Sequence, residues 1–123
     1  MASRNWNRFQ ALEKEVKTLY AEVAIGSSGA PTLTSGLGIT SIVRDSAGVY
    51  IVTFDDKYVR FMAFSAHQLE ATAEDLTFQV ESEAIATAKT LQFQCKAAAV
   101  ETDPSSGSVL FLKFDLKNST SGE

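Results

Sequence analysis

Between residues 6 and 23 the chain reads WNRFQALEKEVKTLYAEV, and its apolar residues Phe9, Leu12, Val16, Leu19 and Val23 recur at alternating spacings of three and four. That is the rhythm of a heptad, which keeps a narrow apolar stripe on one side of a helix. Ala11, Glu13, Lys14, Glu15, Lys17, Ala21 and Glu22 between them are mostly good helix formers. The pattern predicts an N-terminal α-helix over residues 1–25, capped at Ala2 or Ser3. With Phe9 at heptad position a, Val16 and Val23 follow at a, and Leu12 and Leu19 fall at d. Arg8 and Glu13 then stand where they attract between parallel helices. Trp6 and Tyr20 widen the apolar face beyond a two-stranded seam, toward a trimeric coiled coil or docking on another surface. Self-association through Phe9, Leu12, Val16, Leu19 and Val23 is the leading reading. An ordinary helix lying on its own domain's core shows a similar stripe and is the second.

After Ile25 the rhythm changes. Gly26, Ser27, Ser28, Gly29, Ala30 and Pro31 end the helix, so residues 26–36 read as a linker. Period-two alternation follows, with turn residues between the runs. Strands are expected at about residues 36–44, 49–54 and 58–65, with a polar loop or edge over residues 66–75. Leu76, Phe78 and Val80 then alternate with polar neighbours, as do Leu91, Phe93 and Cys95. The last run, residues 109–116, has the inward set Leu110, Leu112, Phe114 and Leu116. Short strands at near-regular intervals define a mainly β chain: an antiparallel β-sandwich or small barrel of jelly-roll type over residues 37–117, with a flexible tail at 118–123. Residues 49–54 are apolar on both faces, and so is the run 58–65 through Phe61, Met62, Ala63 and Phe64; this calls for cover on both, and in so small a domain another subunit is expected to supply the second.

Composition narrows the function. The 123 residues carry 11 Lys plus Arg against 15 Asp plus Glu, a formal charge of -4, which is the wrong balance for a generic nucleic-acid binder. The polar start lacks a secretory h-region, and no apolar run approaches the ~20 residues that cross a bilayer. The single cysteine, Cys95, has no internal disulfide partner. A soluble protein made in a cytoplasm, without a membrane partner, is the expectation.

No constellation announces catalysis. His67 is the only histidine and sits in a polar stretch, while Cys95 falls on the apolar side of its run. Asp55 with Asp56, and Glu81 with Glu83, lack the spacing of a calcium loop. The glycines of GSSGAPTLTSGLG lack the Lys-Ser/Thr ending of a phosphate loop. The expectation is therefore no enzyme, no metal and no cofactor. Sugar binding through exposed aromatics such as Tyr50 or Tyr58 is the remaining small-ligand reading, set against the simpler one that both rings are buried.

Three stretches, GSSGAPTL at residues 26–33, GITSIVRDSAGVYIVTF at 38–54 and TDPSSGSVLFLKFDLKNST at 102–120, resemble a group of small virion structural proteins of tailed bacteriophages, particularly those of marine and freshwater bacteria. The resemblance covers most of residues 25–120 and rests on turn residues and strand alternation; it names no active residue. It implies a homotrimer on the virion, made in the host cytoplasm. In this role it is a capsid decoration (cement) protein that bridges major capsid protein subunits, with Trp6 and Tyr20 as candidate coat-protein contacts. The alternative it implies is a head-fibre or tail-fibre knob subunit that binds host surface glycans. A monomeric accessory domain is the rival outside that group.

Overall fold

A computed structural model describes residues 16–117. Among the described residues nine strands are formed: β1 Val16–Ile25, β2 Pro31–Gly36, β3 Ile39–Ser46, β4 Val49–Phe54, β5 Arg60–Leu69, β6 Leu76–Ala84, β7 Thr90–Ala97, β8 Val100–Glu101 and β9 Val109–Lys117. They build two antiparallel sheets. The first has the order β2-β1-β9-β5; the second has β3-β4-β7-β6, with the short β8 pairing β7. Hairpins β1–β2, β3–β4 and β6–β7 stay within a sheet, and the other long connections cross between sheets. The mainly β, antiparallel, sandwich-type expectation holds.

The N-terminal helix does not hold where the structure describes it. Residues 16–25 are strand β1, laddered to β9 through nine pairs from Val16↔Lys117 to Ala24↔Val109. Phe9, Leu12 and Trp6 lie outside the described residues. Within β1 the expected stripe splits: Leu19 is half-buried and Val23 wholly buried on the inner side, whereas Val16 and Tyr20 stand on the opposite side. The reason is periodicity. Leu19 and Val23 are four apart, a spacing that serves a helix turn and two strand repeats equally; Val16 and Leu19 are three apart, which in a strand places them on opposite faces. The β-branched Val16, Thr18, Val23 and Ile25 favour the pleated surface, and the long ladder to β9 decides the outcome. Nor is the segment after Ile25 only a linker. Gly26 accommodates a single 3₁₀ turn, Ser27–Gly29, and β2 then pairs back on β1, from Ile25↔Pro31 to Ala21↔Gly36.

The core lies between the sheets. Ala21, Val23, Ile25, Leu110, Leu112, Phe114 and Leu116 come from the first sheet, and Ile39, Ile42, Tyr50, Val52, Phe54, Leu91 and Phe93 from the second. Aromatic rings bridge the layers. Phe114 meets Phe54 edge-on at 5.2 Å between centroids, and Phe64 lies 5.3 Å from Phe114 and 5.1 Å from Phe93. Strand β4 is indeed apolar on both faces, but the second cover comes from its own chain: outward-facing Val49 is 3% exposed and Ile51 half-buried. Open apolar positions remain on both sheets: Tyr20, Met62, Leu69 and Phe111 on the first, Val43 and Val100 on the second.

Candidate interaction surface

The outer face of the first sheet follows from strand register. Across β2, β1, β9 and β5 one row reads Ser35–Glu22–Phe111–His67. The next reads Tyr20–Lys113–Ser65, and beyond it Thr18–Asp115–Ala63; at the far end lies Ala24–Val109–Leu69. A bulge between Phe61 and Ala63 turns Met62 to the surface as well. Four large apolar side chains on or beside this face remain open to solvent: Tyr20 at 63%, Leu69 at 61%, Met62 at 48% and Phe111 at 41%. Two shallow clefts interrupt it, one lined by Tyr20, Glu22, Ser35 and Phe111, the other by Val16, Thr18, Met62 and Asp115. The charges between the apolar groups have both signs: Lys113 lies 3.9 Å from Asp115, which also accepts a 2.7 Å hydrogen bond from the Thr18 hydroxyl.

The outer face of the second sheet is different in kind. It is floored by Gln79, Glu81, Gln92, Gln94 and Lys96, and these side chains bond to one another: the Gln92 amide donates to Glu81 at 2.7 Å, and the Lys96 ammonium donates to Gln79 at 2.9 Å. Hydrogen bonds from Gln92 and Gln94 hold the Glu81 carboxyl below its usual range. Val43, 50% exposed, stands on the same side, in the row Val43–Ile51–Gln92, so this face too leaves an apolar group open beside its hydrogen-bonded side chains.

The residues weighed for chemistry are scattered. Tyr50 and Tyr58 are buried, so neither offers a ring to a sugar. Burial pushes the Cys95 thiol up to about 12, which leaves it protonated and inert at neutral pH. Asp55 accepts from the Thr40 hydroxyl at 2.6 Å, which ties the end of β4 to the start of β3, and Glu83 accepts from the Ile85 amide at 3.1 Å, a turn contact. His67 is exposed beside Phe111. Among the described residues no group of three or more His, Cys, Asp or Glu is placed to hold a metal ion, and no helix is long and apolar enough to cross a membrane. The sequence pattern does not single out Phe111 or Leu69, whereas Met62 belongs to the run read as apolar on both faces. Phe111 did leave a signal, because it is a large apolar residue out of phase with Leu110, Leu112 and Phe114.

One polar cluster has a structural role. Asp103, in the loop before β9, accepts from Arg44 Nε and a terminal guanidinium nitrogen, both at 2.9 Å, and from the Gly48 amide at 2.8 Å. Beside it the Tyr50 hydroxyl donates to the Gly29 carbonyl at 2.8 Å. Burial first, and then the charge of Asp103, pushes the Tyr50 phenol above its ordinary value. The clasp joins the 3₁₀ turn, the β3–β4 hairpin and the β8–β9 loop, so the three stretches that carry the phage-protein resemblance meet here. The Arg44 guanidinium, aided by the Gly48 amide, holds the Asp103 carboxyl below the usual range. A lowered folded value means that the unfolded chain binds the proton more readily. The resulting stability is whole above the ordinary carboxylate range near pH ~4 and is lost as pH falls through the folded value. Asp103→Asn is therefore expected to lower the urea midpoint at pH 7 and to converge on the wild-type midpoint in acid. Because Arg44 and Asp103 side chains are 32% and 23% exposed, the effect is smaller than that of a buried pair. Parallel urea titrations at pH 7 and pH 3 check it; a gap of equal size at both would refute the assignment.

These features define an all-β sandwich whose outer faces both mix polar and open apolar side chains, the first sheet's carrying Tyr20, Met62, Leu69 and Phe111. No protein-family model, curated protein or solved structure matches the chain.

Proposed function

We propose that this chain is a virion structural protein of a tailed bacteriophage, a homotrimeric capsid decoration protein that bridges and stabilises coat subunits. Two things support the reading: the resemblance carried by residues 26–33, 38–54 and 102–120, and the open apolar face bearing Tyr20, Met62, Leu69 and Phe111. The face is the observation that carries it, since four large apolar side chains left open on one side of one sheet suit a protein partner. The mechanism is burial rather than chemistry. Apolar area removed from water stabilises by roughly 25 cal/mol per Å², and symmetry repeats each contact around the shell. The partners are further copies of the chain and the major capsid protein, with neither nucleic acid nor membrane, and no cofactor is needed. Tyr20, which the sequence offered as a coat contact, is exposed and stays in that role or in self-association; Trp6, Phe9 and Leu12 retain theirs as proposals from the sequence.

The test is rebinding. Purified protein added to capsids stripped of it is expected to bind to saturation and to raise the temperature at which the shells come apart; shells that neither bind it nor gain stability overturn the reading. The fibre-knob alternative is favoured by Tyr20 and Phe111 lining one cleft with Glu22 and Ser35, rings and hydrogen-bonding groups that suit a sugar. Binding on a glycan array, lost in Phe111→Ala, would select it.

A further inference from the structure

The sandwich is open along one side. There β5 and β6 are the edge strands of their sheets, and residues 70–75 carry the chain from one to the other. Between them lies a cleft of about 330 Å³, lined by His67, Gln68, Glu70, Thr72, Glu74 and Phe78 among others. We propose, independently of the virion reading, that this cleft binds an organic cation: the protonated amine of a small polyamine, or the ammonium or guanidinium of a partner protein's basic side chain.

Glu74 gives the cleft an anchored carboxylate. It is half-buried, and Gln68 Nε2 donates to its Oε1 at 2.5 Å while Ser105 Oγ donates to its Oε2 at 2.7 Å. The donors come from β5 and from the loop before β9, so the carboxylate is fixed from two separate elements. Both are neutral: they hold its position and leave its charge uncompensated. Glu70, also half-buried, spends one oxygen on the Ala71 amide at 2.9 Å and keeps the other. Among the described residues no Lys or Arg lines the cleft.

Hydrogen-bonding capacity selects the class of ligand. Carboxylates only accept, and Gln68 has already committed an amide proton to Glu74, so the groups left over are chiefly acceptors. Their best complement brings donors and no acceptors, which describes an ammonium or a guanidinium. An anion is repelled by the two carboxylates, and a neutral polyol adds at least one acceptor for every donor. A metal ion fits poorly, since among the described residues no group of three or more His, Cys, Asp or Glu is placed to hold one. The wall is apolar as well as charged. Phe78, packed on buried Phe93 at 6.4 Å between centroids, lines the cleft with Leu76. These side chains suit the methylenes of an alkylamine, and an aromatic ring attracts a cation held within ~6 Å of it. The volume stands at the lower end of the roughly 300–1,000 Å³ of small-molecule clefts, room for one basic side chain or one short amine.

The experiment is a titration of the full chain followed by backbone-amide NMR shifts. Spermidine, Nα-acetyl-lysine methylamide and Nα-acetyl-arginine methylamide are the probes; Nα-acetyl-norleucine methylamide, with an alkyl chain and no charge, is the control. The cations are expected to shift the amides of Gln68, Glu70, Glu74 and Phe78 to saturation, with a Kd in the roughly millimolar range. Glu70→Gln should weaken binding about tenfold, through loss of one charge-assisted contact, and Glu74→Gln at least as much. Glu81→Gln removes the same charge from the outer face of the second sheet and should bind as wild type does. Circular dichroism checks folding; where Glu74→Gln fails it, Glu70→Gln carries the test, because the Glu70 carboxylate bonds only to its neighbouring amide. Tighter binding of the lysine or arginine amide than of spermidine makes a protein side chain the source of the cation, and the reverse order makes it a free amine. Shifts that the norleucine amide reproduces, shifts spread equally over Glu81 and the other surface acids, no shift with any cation, or a Glu70→Gln chain that binds as well as wild type each overturn the proposal.

Discussion

Phe114→Ala is expected to lower the free energy of unfolding by about 3–5 kcal/mol, measured by equilibrium urea denaturation at fixed protein concentration. Phe114 is fully buried near the middle of β9, with Phe54 edge-on at 5.2 Å across the sandwich and Phe64 at 5.3 Å from the adjoining strand. Truncation removes the ring's burial and leaves a cavity between two sheets held apart by the remaining side chains, so the site cannot collapse. Against a typical domain stability of about 5–15 kcal/mol this is a large share. Phe111, three residues earlier on the same strand, supplies the comparison. It points outward and is 41% exposed, so Phe111→Ala should cost the single chain less than about 1 kcal/mol. Equal losses at the two positions would mean that the inward and outward sides of β9 are wrongly assigned.

That pair also shows what could be read from the residues in advance. The inward set Leu110, Leu112, Phe114 and Leu116 is legible because strict alternation between turn clusters has one interpretation, and residues 49–54 are bounded by turn signals on both sides. Residues 16–25 are not legible in this way. Their Leu19–Val23 spacing satisfies both periods, good helix formers fill the gaps, and the preceding Phe9 and Leu12 extend the heptad. Only pairing with β9, almost a hundred residues away, reveals the strand. The exposed apolar side chains of the first sheet are illegible for the same reason. Tyr20 reads locally as an aromatic on a helix flank, and the exposure of Met62 and Leu69 follows from which sheet covers which, a long-range property. The partnership of Arg44 with Asp103 spans 59 residues and leaves no local trace.

The turn held by that partnership yields the second large effect. Gly48 has φ +72°, and a Cβ there would lie 2.6 Å from both the Cys95 carbonyl oxygen and the Thr102 amide nitrogen. Its own carbonyl accepts the Cys95 amide at 2.6 Å, and its amide donates to Asp103. Alanine therefore meets two separate costs. The left-handed backbone costs an L residue about 1–2 kcal/mol, and displacement of the hairpin tip from β7 and the Asp103 loop weakens bonds whose buried groups cost about 1–3 kcal/mol when left unpaired. Gly48→Ala is expected to destabilise by about 2–4 kcal/mol in urea. Gly107 separates the two terms, because it has φ +90° with nothing within 4 Å of the added Cβ. Gly107→Ala then carries the conformational cost alone, and the excess at Gly48 measures how closely the backbones approach. The same excess should shrink in an Asp103→Asn background, where the loop is already less tightly held. Full additivity of the two substitutions would show that the hairpin tip and the Asp103 loop are not one mechanical unit.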